Sequence, residues 1–278
     1  MKYKVAVLQL NTTSSKEHNL IKISRLIKTA AKNSARLISL PETMNIINDM
    51  SVDDPESIPG ETTELLLSLS KQHNVWIHGG SIIERNQLER GGKPNNTTVM
   101  ISPESGIIAK YRKLHLFDVN IEGGVKSKES ERISKGDKIV VIDTDIGCLG
   151  FSICYDIRFP ELYRSMALLG AQIVFTPANF TYKTGNLHWE ILLRSRAIEN
   201  NCFVIASAQC GTNAQFQAYG HSMVIGPSGM VLAGLHDEEG IAYADIDLND
   251  IETVKRQIPS LANRREDIYG NLTKKLSK

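Results

Sequence analysis

Gly150-Phe151-Ser152-Ile153-Cys154-Tyr155-Asp156-Ile157-Arg158-Phe159-Pro160-Glu161 is the stretch on which the reading of this chain turns. An apolar strand runs out at Cys154, a short polar turn follows, and Pro160 with Glu161 opens a helix. Proline at the first helical position and an acid in the first turn mark a helix start. A cysteine at such a strand-to-helix turn projects from the sheet edge beside backbone N–H groups that lack partners. That is where a nucleophile and a developing oxyanion are held together. The plain alternative is a buried cysteine before a loop, and this segment alone does not separate the two.

On both sides of that stretch the pattern alternates. Residues 5–10 read as a strand, and Lys16–Lys32 carries Leu20, Ile23, Leu26 and Ile27 at helical spacing. A strand at 35–40 is stopped by Pro41, a helix at 61–72 leads into a strand at 75–83, and 97–102 with 107–111 reads as a hairpin turning at Pro103-Glu104-Ser105-Gly106. The stretch 112–137 has little periodicity and many charges, and a loop that long in a compact domain is usually functional. Strands follow at 138–142, 149–153, 172–176, 203–207, 222–225, 230–233 and 241–246. Helices fall at 160–169, 187–200 and 247–255, the second with Leu187, Ile191, Ser195 and Ile198 along one face. Strands interleaved with helices exclude an all-α bundle and predict layered sheets with helices outside. With no repeat, linker or composition break, one domain over 1–278 is expected.

The 278 residues hold 32 Lys+Arg against 31 Asp+Glu, a net charge of +1. That balance argues against a nucleic-acid groove or an anionic membrane surface. No apolar run approaches the ~20 residues that span a bilayer, and Met1 leads at once into a strand where a signal peptide would be, so a cytoplasmic protein is expected. Cys148, Cys154, Cys202 and Cys210 form no Cys-x-x-Cys. With no His-Glu-x-x-His, no acidic ligand cluster and no phosphate-binding glycine loop, no metal and no cofactor are expected.

Two further segments carry chemistry only in combination. Leu40-Pro41-Glu42 puts an acid just past a buried strand end, and Tyr111-Arg112-Lys113-Leu114-His115-Leu116 puts a lysine at the mouth of the long loop. Each alone reads as a solvated loop residue. With Cys154 they supply the base, the cation and the sulfur that amide hydrolysis needs. An amide carbonyl is a weak electrophile, its oxyanion needs a positive or N–H partner, and its leaving nitrogen needs a proton.

In order and local sequence, Glu42, Lys113 and Cys154 resemble the Glu-Lys-Cys set of the nitrilase superfamily. The resemblance covers nearly the whole chain and extends to His188-Trp189-Glu190 and Arg194-Ser195-Arg196-Ala197-Ile198-Glu199-Asn200. It implies a four-layer α-β-β-α sandwich, a homodimer or higher homo-oligomer, and an amidase acting on a small-molecule amide. It makes Cys154 the nucleophile, Glu42 the base and Lys113 the oxyanion stabiliser beside the N–H of Tyr155, with Glu129 the second glutamate inside the long loop. Arg158, Phe180 and Thr184 match pocket residues of the omega-amidase-like branch. Arg158 has two readings: a structural pair within the fold, or a fork for a substrate carboxylate. Ser207-Ala208-Gln209-Cys210-Gly211 and Tyr219-Gly220-His221-Ser222-Met223 lean toward the deaminated-glutathione amidases, with an omega-amidase acting on 2-oxoglutaramate as the alternative. A non-catalytic scaffold of the same fold is a rival from another class, opposed by the intact triad. A thiol protease is a weaker one, since it would need His115, His188 or His221 as base.

Overall fold

The apolar pattern of the first strand fixes the layering. In Lys2–Gln9, Val5 and Val7 join a cluster containing Leu37, Trp76 and Met100 together with Leu149, Phe151, Phe175 and Val204 of a second sheet. Ala6 and Leu8, on the other face, pack with Ile23, Ile27, Leu66 and Leu69 of two helices. Successive strand side chains point to opposite faces, so a strand apolar on both belongs to an inner layer.

The computed structural model describes residues 1–48, 55–86 and 92–269. One sheet has seven strands; its path runs Gly240–Asp247, Lys2–Gln9, Leu37–Ser39, Trp76–His78, Asn95–Ser102 and Ile82–Glu84, with Gly106–Arg112 also on Asn95–Ser102. The other has six, in the order Val231–Gly234, Met223–Ile225, Phe203–Ala206, Ile173–Phe175, Gly147–Phe151 and Val141–Thr144. Each has three parallel strands at its centre. Helices α1 (Lys16–Lys32) and α2 (Glu61–His73) cover the first sheet, while α3 (Pro160–Leu168) and α4 (Tyr182–Asn200) pack on the second. The result is the α-β-β-α sandwich. A further helix, α5, spans Asn249–Gln257, and a short one, α6, spans Glu266–Tyr269.

Four departures from the sequence reading have physical causes. The strand expected at 75–83 is broken into Trp76–His78 and Ile82–Glu84 at Gly79-Gly80. Gly80 has φ +54°, and a Cβ there would lie 2.0 Å from the Pro41 carbonyl. Only glycine permits that approach. The stretch 112–137 folds into a short hairpin, Asp118–Asn120 with Lys126–Lys128, followed by a 3-10 turn at Glu129–Glu131. A second hairpin, Cys210–Thr212 with Gln217–Tyr219, was not expected at all, because three-residue strands show no period. Helix α4 begins at Tyr182 with the Thr181 hydroxyl as its cap, and its buried face is Trp189, Leu193, Arg196 and Ala197. The stripe Leu187, Ile191 and Ile198 faces outward, at 59%, 67% and 50% exposure.

Candidate active site

Glu42, Lys113 and Cys154 each sit just beyond the end of a strand of a main sheet, where an α/β sheet opens a crevice. Glu42 follows Leu37–Ser39, and its backbone is clamped by the glycine break: Ser81 N donates to Pro41 O at 3.2 Å and Thr43 N to Ser81 Oγ at 2.9 Å. The carboxylate is buried and held from three sides. Oε1 accepts from Asn96 Nδ2 at 2.9 Å and Lys113 Nζ at 3.0 Å, and Oε2 accepts from the Asn179 N–H at 2.8 Å.

Lys113 follows Gly106–Arg112, its own N–H donating to Asn96 O at 2.9 Å. The residue is 2% exposed, and its ammonium bridges two carboxylates, Glu42 Oε1 at 3.0 Å and Glu129 at 3.0 and 3.2 Å. Glu129 is kept in place by the Phe117 N–H, 2.6 Å from Oε2. Burial pulls the Lys113 ammonium down, but Glu129, then Glu42 and Cys154, outweigh it and hold its pKa well above the ordinary lysine value. Lys113 is therefore a fixed cation.

Cys154 opens a short 3-10 helix, Cys154–Arg158, with φ +48°, a left-handed conformation uncommon outside glycine. Such backbone strain persists only where the surroundings over-determine it. Here Cys154 N donates to Pro177 O at 2.8 Å, and the next carboxylate, Asp156, takes the Ile153 N–H at 2.8 Å. Asp156 has no exposed surface and also accepts from the Tyr111 hydroxyl at 2.7 Å and the His115 N–H at 3.0 Å, with His115 Nδ1 at 2.8 Å. A carboxylate only accepts, so Nδ1 carries the proton. His115 stacks on Phe159 at 3.6 Å. Asp156 thus ties the cysteine turn to the loop that carries Lys113. Burial, then the Glu42 charge, raises the Cys154 thiol well above its usual pKa, with Lys113 opposing. A thiol shifted in that direction favours its neutral form and would need a base to become a nucleophile.

Glu42, Lys113, Glu129 and Cys154 line one cavity with about 670 Å³ of atom-free space, its open mouth included. That volume suits a small molecule. Tyr155, Phe180 and Thr184 line it too. Arg158 is not among the lining residues: its Nη1 lies 3.3 Å from His188 Nδ1, and its guanidinium carbon sits 5.1 Å over the Phe180 ring. Asn96, Asn179, Asp156 and Arg132 were not singled out from the sequence. For Asn96 a signal existed, the polar run Asn95-Asn96-Thr97-Thr98 inside a fully buried strand. Among the described residues no group of three or more His, Cys, Asp and Glu could hold a metal, and no helix is long and apolar enough to cross a membrane.

The carbon-nitrogen hydrolase family model matches residues 4–256. The chain belongs to the carbon-nitrogen hydrolases of the nitrilase superfamily. This makes it an amide-hydrolysing enzyme. The bovine protein named omega-amidase NIT2 is 39% identical over 276 residues, 98% of this chain and 99% of the relative. Among solved structures, the C. elegans NitFhit protein superposes with a TM-score of 0.90 at 37% identity over 98% of this chain, which spans 66% of the NitFhit chain. Saccharomyces cerevisiae Nit3, described as a member of branch 10 of the nitrilase superfamily, gives 0.84 at 34% identity, covering 95% of this carbon-nitrogen hydrolase and 97% of Nit3.

Proposed function

We propose that this carbon-nitrogen hydrolase cleaves the amide of a small 2-oxo acid through a thioester on Cys154. Glu42 takes the thiol proton as sulfur attacks the carbonyl carbon. The oxyanion is held by the Lys113 ammonium and by the N–H of Tyr155, which lies in the first turn of its helix where no intrahelical acceptor is available. Glu42 returns the proton to nitrogen and ammonia leaves. A water, deprotonated by the same carboxylate, then attacks the thioester, releasing the acid and restoring the thiol. Glu129 keeps Lys113 aimed and charged throughout. Phe180 and Thr184 shape the acyl pocket.

The observation that carries this reading is the Lys113 ammonium 3.0 Å from both Glu42 and Glu129, in the cavity that Cys154 also lines. The name omega-amidase borne by the bovine relative puts 2-oxoglutaramate ahead of deaminated glutathione as substrate. The reading extends to a single-domain cytoplasmic enzyme, in keeping with four unpaired cysteines. It also extends to a homodimer joined across the outward stripe of Leu187, Ile191 and Ile198, since contiguous exposed apolar surface marks an interface.

The test is a kinetic comparison of 2-oxoglutaramate with deaminated glutathione, with intact-mass detection of an acyl adduct on Cys154. Turnover of one or both amides with an adduct of the acyl mass is expected. Inactivity toward both, or turnover that survives Cys154→Ala, overturns the proposal.

A further inference from the structure

Asn179 enters the site described above through its backbone alone: its N–H holds Glu42 at 2.8 Å and its carbonyl lies 3.9 Å from the Cys154 sulfur. Its side chain has no part in that chemistry, yet one orientation is imposed on it. Asn179 Oδ1 accepts at 3.1 Å from Nδ2 of Asn213, a residue in the turn of the hairpin formed by Cys210–Thr212 and Gln217–Tyr219. The Asn213 amide is itself fixed at its other end, where Oδ1 accepts the backbone N–H groups of Gln215 at 2.9 Å and Phe216 at 3.1 Å. A backbone N–H only donates, so the atom facing those two is oxygen and the atom facing Asn179 is the NH2. That NH2 requires an acceptor opposite. Asn179 therefore turns its oxygen toward the hairpin and keeps its own NH2 for the other side.

The residue is half-buried and lines the cavity, as do Gln215 and Phe216 of the same hairpin. Among the described residues nothing accepts from Asn179 Nδ2, and that atom is not sealed from solvent. Beside the nucleophile, then, the cavity wall offers a neutral donor with no acceptor on it. A ketone oxygen satisfies such a donor, a methylene leaves it unmet, and an ammonium group sets donors against donors. The 2-oxo acid amides of the proposed reaction carry a ketone a few bonds from the amide carbon. The carboxylate adjoining that ketone has a cation close by, since the Arg158 guanidinium sits 5.1 Å over the ring of the next residue, Phe180.

We infer that the Asn179 side chain, aimed by Asn213, reads the 2-oxo group of the substrate and rejects the matching 2-amino acid amide. The inference rests on the amidase reading above and adds to it the feature that separates a 2-oxo acid amide from an ordinary amino-acid amide. Asn179 is the specificity residue and Asn213 its positioning residue.

The test compares 2-oxoglutaramate with glutaramate, which has the same length and charge but no 2-oxo group. Asn179→Leu keeps the backbone N–H on Glu42 and removes the donor. It should lower the ratio of kcat/KM on 2-oxoglutaramate to that on glutaramate by ~5–10-fold, the range for one neutral hydrogen bond. Because the ratio is taken within one protein, a loss of folded enzyme cancels. Asn213→Asp acts at a distance: its carboxylate still accepts from Gln215 and Phe216 but sets an acceptor against Asn179, whose amide then turns over and shows its oxygen to the cavity. The same ratio should fall, and kcat/KM on L-glutamine relative to glutaramate should rise, which a merely structural lesion would not produce. A second arm needs no turnover. Cys154→Ser should bind 2-oxoglutarate more tightly than glutarate by calorimetry, and Asn179→Leu in that background should erase the difference. A ratio unchanged in Asn179→Leu, or a wild type that prefers the 2-oxo compound in neither turnover nor binding, overturns the inference. If no amide is hydrolysed yet the binding preference is present and depends on Asn179, the amidase reading fails and recognition of the oxo group stands.

Discussion

Asp156→Asn changes one atom of a side chain that touches no substrate, and it should disable the enzyme. The carboxylate is fully buried and takes four donors: Tyr111 OH and Ile153 N on Oδ2, His115 N and Nδ1 on Oδ1. Asparagine has one oxygen, so its NH2 must face one of the two donor pairs. Turned toward Oδ2's partners, it can donate to the Tyr111 hydroxyl, which rotates to accept, but the Ile153 N–H is then buried without a partner. Turned the other way, it leaves both His115 donors unmet. Hydrogen bonds to a charged group contribute ~1.5–3 kcal/mol each, and an unmet buried donor costs a further ~1–3. The expected destabilisation is therefore about 3 kcal/mol in the better orientation. The damage lands on the residue before Cys154 and on the loop two residues past Lys113, so the sulfur and the ammonium lose their common reference. Misplacement on the order of 1 Å costs about 100-fold in rate. Urea denaturation gives the first number and kcat/KM on the preferred amide gives the second. Tyr111→Phe is the companion: it removes one donor, leaves Asp156 three, and should cost about 1 kcal/mol. A midpoint shift worth under ~1 kcal/mol in Asp156→Asn, with turnover within threefold of wild type, would refute the hub.

Cys154→Ser should keep the fold and its melting temperature within a few degrees while abolishing the acyl adduct seen by mass spectrometry. Glu129→Gln leaves the Phe117 N–H an acceptor but removes one of the two negative charges on Lys113, so kcat should fall ~10²-fold, read by steady-state ammonia release. Lys113→Met leaves two buried carboxylates without their cation. It should cost ~3–5 kcal/mol in denaturant unfolding as well as all turnover. His78 is buried between Ser39 Oγ at 3.0 Å and Thr98 Oγ1 at 2.9 Å, and burial lowers its pKa to about 3. Its folded pKa lies below the unfolded value, so the unfolded chain binds the extra proton and stability falls as pH drops from about 6.5 toward 3. This group alone should remove ~2 kcal/mol by pH 5, and His78→Asn should show a correspondingly flatter pH profile of unfolding.

The first strand, α1 and the cysteine turn were legible because each carries a period or a start signal that survives in isolation. Lys16–Lys32 has its apolar residues on one stripe, and Pro160 with Glu161 marks the start of α3. Layering was legible because strands interleaved with helices call for sheets with helices outside, and the family resemblance supplied the number of layers. Glu42, Lys113, Glu129 and Cys154 came from a family pattern, and the structure brings all four to one cavity. What escaped the sequence depends on distance along the chain. Asn179 holds Glu42 through a backbone N–H across 137 positions, and any residue but proline offers that donor. Asp156 looked like one more polar turn residue, since three of its four donors come from Tyr111 and His115, 45 and 41 positions away. The stripe Leu187, Ile191 and Ile198 was legible as a face but not in its direction, because helical spacing does not say whether a core or open surface lies against it. Arg158 matched a pocket position in sequence; its guanidinium lies beside His188 and over the ring of Phe180, which itself lines the cavity.

The active cavity belongs to neither sheet alone. Glu42 and Lys113 ride on strand ends of the first sheet, while Cys154 and Asn179 ride on strand ends of the second. Glu42 and the sulfur of Cys154 line one cavity only if the two sheets hold their register. Groups far from the cavity set that register: His78 stacks on Phe175 at 4.4 Å, and Ser207 Oγ donates to Ser39 O at 3.0 Å across the same seam. Protonating His78 would place a charge between the sheets where only aromatic rings and hydroxyls face it. Its buried neutrality therefore bears on catalysis as well as on stability. Packed layers resist small displacements and then yield together, so acid should remove activity and fold along one curve. Loss of turnover well before unfolding would instead point to a group inside the cavity.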